Sequence, residues 1–220
     1  PMIMHTAFTP TQGDHIRDSA LCATCHTLRT EHAGKQFPEQ SPYFEWQNSI
    51  YTDEPQATPA TRTCQQCHMP EVGPMHVARN PAGFDFNIET RAEVRGHTFV
   101  GGNAFMLDML AANREQLKIA TPKELLEQAA RATRSQLAHR TASIAIEGIK
   151  RESDSSGRPV LSFDVVVTNM TGHKFPTGYP SRRAWIQVDV RDGRDTIFSS
   201  GKPDDSGRIK GIASELDEPH

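Results

Sequence analysis

Residues 22–26 read CATCH and residues 64–68 read CQQCH, two copies of the pattern C-x-x-C-H in one chain. Two residues between the cysteines put both thiols on one short turn, at the separation of the two vinyl groups of a porphyrin. Each thiol can then close a thioether, while the histidine that follows lies beneath the ring and meets the iron. The pattern therefore predicts two covalently attached haems c. Cys22, Cys25, Cys64 and Cys67 are the expected thioether positions, and His26 and His68 the expected proximal iron ligands.

Two C-x-x-C pairs can also build a tetrahedral zinc cage of four thiolates, a redox dithiol or a pair of disulfides. The interval from Cys25 to Cys64 is longer than in the usual zinc ribbon, and histidine follows both pairs at the one place that haem needs. Histidine placed at random at its frequency here would do so with a probability of roughly 0.002. Haem is the preferred reading. Because thioethers to haem form outside the cytoplasm, the expected address is the periplasm or the cell exterior.

Each iron has a sixth position, and its occupant separates electron transfer from catalysis. Apart from His26 and His68, the chain has His5, His15, His32, His76, His97, His139, His173 and His220. His97 is the first choice, because RGHTFVGGN sets it beside Gly101 and Gly102, where backbone can come close to a flat ring. His173 follows, in the Gly- and Pro-containing loop NMTGHKFPTGYP between two expected strands. His5, in the apolar MIMHTAF, is third. Met69, Met75 and Met170 compete in principle, but so many histidines favour two imidazoles per iron and hence a low reduction potential. Arg62, Arg79, Arg95, Arg182 and Arg183 are candidate partners for haem propionates, since a guanidinium matches a carboxylate as a two-pronged fork. Tyr43, Phe44 and Trp46 are candidates for packing on a porphyrin, or equally for a satellite core.

Outward from these motifs, residues 1–102 hold all four cysteines and seven of the ten histidines, with little periodicity, and are expected to be organised by their ligands. Residues 103–140 read as a helical hairpin. Phe105, Met106, Met109, Leu110 and Leu117 form one stripe; Leu125, Leu126, Ala129, Ala132 and Leu137 form the second. Thr121, Pro122 and Glu124 are placed to cap the second helix. From residue 141 to 220 the period becomes two, with Ile144 and Ile146, then Leu161 to Val167, then Ile186 to Val190, separated by turn residues. These are expected half-buried strands of an antiparallel β-sandwich-like domain, short of the roughly seven strands such a fold needs. The expected class is α+β.

The apolar share of 36% is low, with 15 Gly and 15 Pro, and porphyrins are apolar plates that could fill a thin core. A net charge of −3 without a long basic run speaks against nucleic acid as a partner. No stretch nears the roughly 20 apolar residues of a membrane-spanning helix. A start at Pro1 and an end in SELDEPH read as a processed piece or a cut from something longer.

The order LCATCHTL, SPYFEWQNSIY, TCQQCHMP, GHTFVGGN and NMTGHKFPTGYPSRRAWIQV resembles bacterial multihaem c-type cytochromes, distantly similar to the group of hydroxylamine oxidoreductase and pentahaem nitrite reductase. The resemblance implies proximal ligation by His26 and His68, with distal histidines supplied from remote segments. It also implies a C-terminal portion of a longer cytochrome, because such proteins hold more than two haems.

Electron transfer between redox protein partners or further haem domains is the expected function, so an electron carrier rather than an enzyme. The alternative is a multihaem reductase of a small nitrogen or sulfur oxyanion, which needs one open iron. A third possibility gives the β region a docking role.

Overall fold

Asp18 opens the first helix: its carboxylate accepts the Ala20 N–H at 2.8 Å, and α1 runs over Ser19–Ala23. The computed structural model describes residues 7–9, 11–76, 89–178 and 182–209, so His5 and Arg79 lie outside the described residues. Just past α1, the Cys25 and His26 N–H groups both donate to the Cys22 carbonyl, at 3.2 and 2.9 Å. The first C-x-x-C-H is thus one tight turn.

An antiparallel hairpin follows, β1 at Leu28–His32 and β2 at Lys35–Gln40. Ala33 and Gly34 make its turn, both at positive φ (49° and 73°), as a two-residue turn matched to strand twist requires. Helix α2, Pro42–Gln47, begins with proline at its first position, where the missing N–H has no helical partner to lose.

The second motif is itself a helix, α3 at Cys64–His68. Its start is a capping box: the Thr63 hydroxyl accepts the Gln66 N–H at 3.3 Å, and Gln66 Oε1 accepts the Thr63 N–H at 2.8 Å. Two donors left over by a short helix are thereby satisfied. Beyond it, bridges at Glu71–Arg95 and Met75–Arg91 bring residues 91–100 back alongside α3.

Helices α4, Ala104–Ala112, and α5, Lys123–Arg140, form the expected pair. Gly102 faces Leu137, Asp108 pairs with Arg134, and Arg114 Nε donates to the Thr121 carbonyl, so early residues of one helix meet late residues of the other. The helices are antiparallel. Ala104, Ala111, Leu126, Ala130 and Thr133 are buried between them, small side chains that permit close approach. Leu125, Leu117 and Phe105, assigned above to the apolar stripes, are exposed, because the seam between two helices is narrower than either stripe. The start of α5 also differs from expectation: Pro122 takes the N-cap position and no side chain caps it.

The chain divides into two compact units, Pro1–Pro180 and Ser181–His220. The first ends with a hairpin of β3, Ala142–Ser153, and β4, Pro159–Asn169. The second holds a hairpin of β5, Val188–Asp192, and β6, Asp195–Ser200. Gly201 follows at φ +73°, where a Cβ would lie 2.0 Å from the Ile186 carbonyl oxygen, so only glycine fits. The architecture is mixed α+β with antiparallel pairing, as the alternating segments imply. Among the described residues its β part consists of three two-stranded antiparallel sheets. Ile144, Ile146, Ile149 and Val167 are exposed rather than half buried. Among the described residues no helix is long and apolar enough to cross a membrane.

Candidate metal centre

The two C-x-x-C-H turns adjoin. Ser19, fully buried in α1, accepts the Cys64 N–H on its hydroxyl at 3.2 Å, and the Gln65 amide donates to the Ile16 and Asp18 carbonyls at 3.1 and 2.8 Å. The Cys64 thiol lies close enough to Cys22 to act on it electrostatically. Burial pushes the Cys22 thiol up, and Cys64 adds to the shift. Burial likewise raises Cys67, with a further contribution from Cys64, opposed by the charges of Arg62, Arg140 and Arg95. Among the described residues no three His, Cys, Asp or Glu side chains converge as a metal cage.

His68 is held at two points by Val100. The Val100 N–H donates to the His68 carbonyl at 3.0 Å, and the Val100 carbonyl lies 2.6 Å from His68 Nδ1. A carbonyl can only accept, so Nδ1 carries the proton and Nε2 keeps its lone pair. His173 repeats the pattern, with Nδ1 2.9 Å from the Lys174 carbonyl. Its own carbonyl accepts the Asn169 amide at 2.8 Å, and the Thr171 hydroxyl lies 2.6 Å from the same oxygen. The half-buried His173 imidazole is pushed below its ordinary pKa, first by burial and then by neighbouring His68, against the Lys174 carbonyl and Glu45. It is a neutral ring, as an iron ligand must be.

The two rings face one another with centroids 6.1 Å apart and planes within 12°. Two imidazoles, each with Nδ1 held by a backbone carbonyl, are a donor set that fits a group taking nitrogen ligands.

His97 is exposed, and its ring meets Phe99 edge-on at 5.8 Å. The structure thus brings His173, and not the first-choice His97, to His68. His26 is exposed, and no second histidine ring is set against it among the described residues. Of the candidate methionines, Met170 is engaged through its backbone, its N–H donating to the Thr141 carbonyl at 3.0 Å and its carbonyl accepting from Tyr51; Met75 is exposed.

Arg62 and Arg95 lie within electrostatic reach of Cys67, and so does Arg140, which the sequence reading passed over as the end of α5. Three guanidinium groups round the second motif suit a group that carries carboxylates. Arg182 and Arg183 belong to the other unit, where Arg183 donates to the Gly207 carbonyl at 3.1 Å and lies over Trp185. Tyr43 stacks on Trp46 at 5.7 Å and meets Phe44 edge-on at 5.9 Å, so these aromatics form their own cluster on α2. Among the described residues the Thr27 hydroxyl, next to the first motif, and Gln65 Oε1, within the second, are buried without a hydrogen-bond partner. No family model, curated protein or solved structure matches the chain.

Proposed function

We propose that the chain carries two thioether-bound haems and transfers electrons, with His68 and His173 as the residues that would hold one iron. The observation that carries this reading is the pair of near-parallel imidazoles 6.1 Å apart, each with Nδ1 tied to a backbone carbonyl and Nε2 left to bind metal. Cys64 and Cys67 would hold that haem, and Cys22, Cys25 and His26 the other. His97 and His5 are the proposed sources of its distal ligand. The group supplies a one-electron change at iron when bound.

The chain's residues set the terms of that change. Nδ1–H donation to a carbonyl makes the His68 and His173 rings more basic and fixes their orientation, which favours the oxidised metal and a low potential. Holding both rings by backbone contacts keeps ligand movement small between oxidation states. The packing of α1 on α3 through Ser19 and Gln65 sets the two attachment points side by side, which suits a relay. Arg62, Arg95 and Arg140 would pair with propionates at the second motif.

The proposed setting follows from the chemistry and from the likeness to multihaem cytochromes: periplasmic or extracellular, in contact with redox proteins or further haem domains. The exposed Ile144, Ile146 and Ile149 of β3 are the ground for a docking role of that hairpin. Optical and magnetic resonance spectra of the matured protein test the assignment. Low-spin signals from both haems support electron transfer; a five-coordinate high-spin haem that reacts with nitrite or hydroxylamine supports the reductase instead.

A further inference from the structure

Helix α2 touches both halves of the His68–His173 pair through its neighbours. On one side, Trp46, only 5% exposed, donates its indole N–H to the Arg62 carbonyl at 2.8 Å, one residue before the Thr63 cap of α3. On the other, Glu45 Oε2 accepts two bonds from the loop beyond β4, the Lys174 N–H at 2.9 Å and the Thr177 hydroxyl at 2.6 Å. Tyr51, shortly after α2, donates its hydroxyl to the Met170 carbonyl at 3.0 Å. Gly172 sits so close that a Cβ there would lie 3.0 Å from Trp46 Cδ1 and 3.5 Å from Tyr51 Cδ2. A continuous path of bonded and packed groups therefore runs from α3, through Arg62, Trp46 and Glu45, to the residue next to His173.

Glu45 is the member of this path with no structural need to be charged. A half-buried carboxylate gives up water, and it does so here to bind a backbone N–H that immediately follows a proposed ligand. Asn169 and Thr171 hold His173 from its N-terminal side. Glu45 holds it from the C-terminal side.

We propose that α2 is the spacer that sets the gap between the two imidazoles, with Glu45 as the positioning residue for His173. The proposal rests on the reading that His173 ligates the iron of the His68 haem. Because one oxygen of Glu45 accepts both bonds, a glutamine amide oxygen can replace it, whereas alanine cannot.

The test uses the matured full-length chain with both haems, as wild type, His173→Ala, Glu45→Ala and Glu45→Gln. Spin state, the rate of carbon monoxide binding to the reduced protein and exchange of the Lys174 amide hydrogen are measured. His173→Ala should convert one haem to high spin. Glu45→Ala should speed carbon monoxide binding and Lys174 exchange by about tenfold or more, since a bond to a charged group is lost, and Glu45→Gln should stay within about twofold of wild type.

A low-spin His173→Ala protein overturns the ligand reading and the proposal with it. A high-spin His173→Ala protein beside a Glu45→Ala protein identical to wild type overturns the positioning role alone. Failure of Glu45→Gln to rescue assigns the effect to charge and overturns it as well. Should Glu45→Ala not mature, Thr177→Val removes one of the two bonds and must show the same change in smaller measure; no change contradicts the proposal.

Discussion

The His68 and His173 imidazoles face each other with centroids 6.1 Å apart and planes within 12°, although one sits at the end of α3 and the other in the loop that follows β4. Each ring spends its Nδ1 proton on a backbone carbonyl. These two held imidazoles are the pair proposed above as ligands of one iron.

Ligand identity should set the potential of that haem. Replacing His173 by methionine exchanges a basic nitrogen for a thioether, which stabilises the reduced metal. The midpoint should rise by on the order of 0.1 V, within the roughly 0.8 V that axial ligands span. Redox titration would show one of two haems displaced upward; equal midpoints in wild type and His173→Met would remove His173 from the iron.

Trp46→Phe keeps most of the ring and removes the indole N–H that satisfies the Arg62 carbonyl. Leaving that acceptor unpaired in a part-buried site should cost about 1–3 kcal/mol. Urea denaturation followed by circular dichroism measures it, and a change below a few tenths of a kcal/mol would place the contact among the dispensable ones.

The capping box of α3 predicts non-additive losses. Thr63→Ala should lower stability by about 1 kcal/mol, and the double variant with Gln66→Ala should lose less than the sum of the two singles, because the two residues serve each other. Strict additivity in a double-mutant cycle would show that the box does not form.

How much of this was readable beforehand depends on the range of the interaction. The two C-x-x-C-H turns, the helical pair and the turns at Asp154 and Asp204 are local, and local sequence encodes them. The β1–β2 hairpin lies in a stretch with little periodicity, and its Pro38 is tolerated because both strands of a two-stranded sheet are edges. Local chemistry nominates His97, His173 and His5 without pairing any of them with an iron, and which ring arrives beside His68 is decided across the fold. Glu45 in SPYFEW, which anchors the His173 loop, was the signal available, but a lone glutamate reads as surface charge. Strand periodicity marks β3 and β4, but it does not tell that Ile144 and Ile146 are exposed.

The motif D-x-S-G-R occurs twice, at Asp154–Arg158 and Asp204–Arg208, and predicts a shared pH response. Asp154 Oδ1 accepts the Arg158 and Ser156 N–H groups at 2.9 and 2.8 Å, and Arg158 Nε reaches Oδ2 at 2.8 Å. Asp204 accepts the Ser206 hydroxyl at 2.6 Å and the Ser206 and Arg208 N–H groups at 2.9 and 3.0 Å. These bonds hold both carboxyls below the usual carboxylate value: Asp154 first through the Arg158 N–H, Asp204 first through the Ser206 hydroxyl. A depressed folded pKa means that the stabilisation is complete above the unfolded value of about 3.9 and is lost as pH falls through the lowered one. Carboxyl resonances titrating at unshifted midpoints would contradict the turn geometry, and Asp154→Asn should abolish the response in its own turn alone.

All of this depends on two haems joined through sulfur to Cys22, Cys25, Cys64 and Cys67. A pyridine haemochrome spectrum combined with intact mass, on protein from a host that matures c-type cytochromes, tests that claim most directly. The account predicts a c-type band and a mass of the polypeptide plus two haems that survives denaturation. A colourless protein at the mass of the bare polypeptide would contradict it.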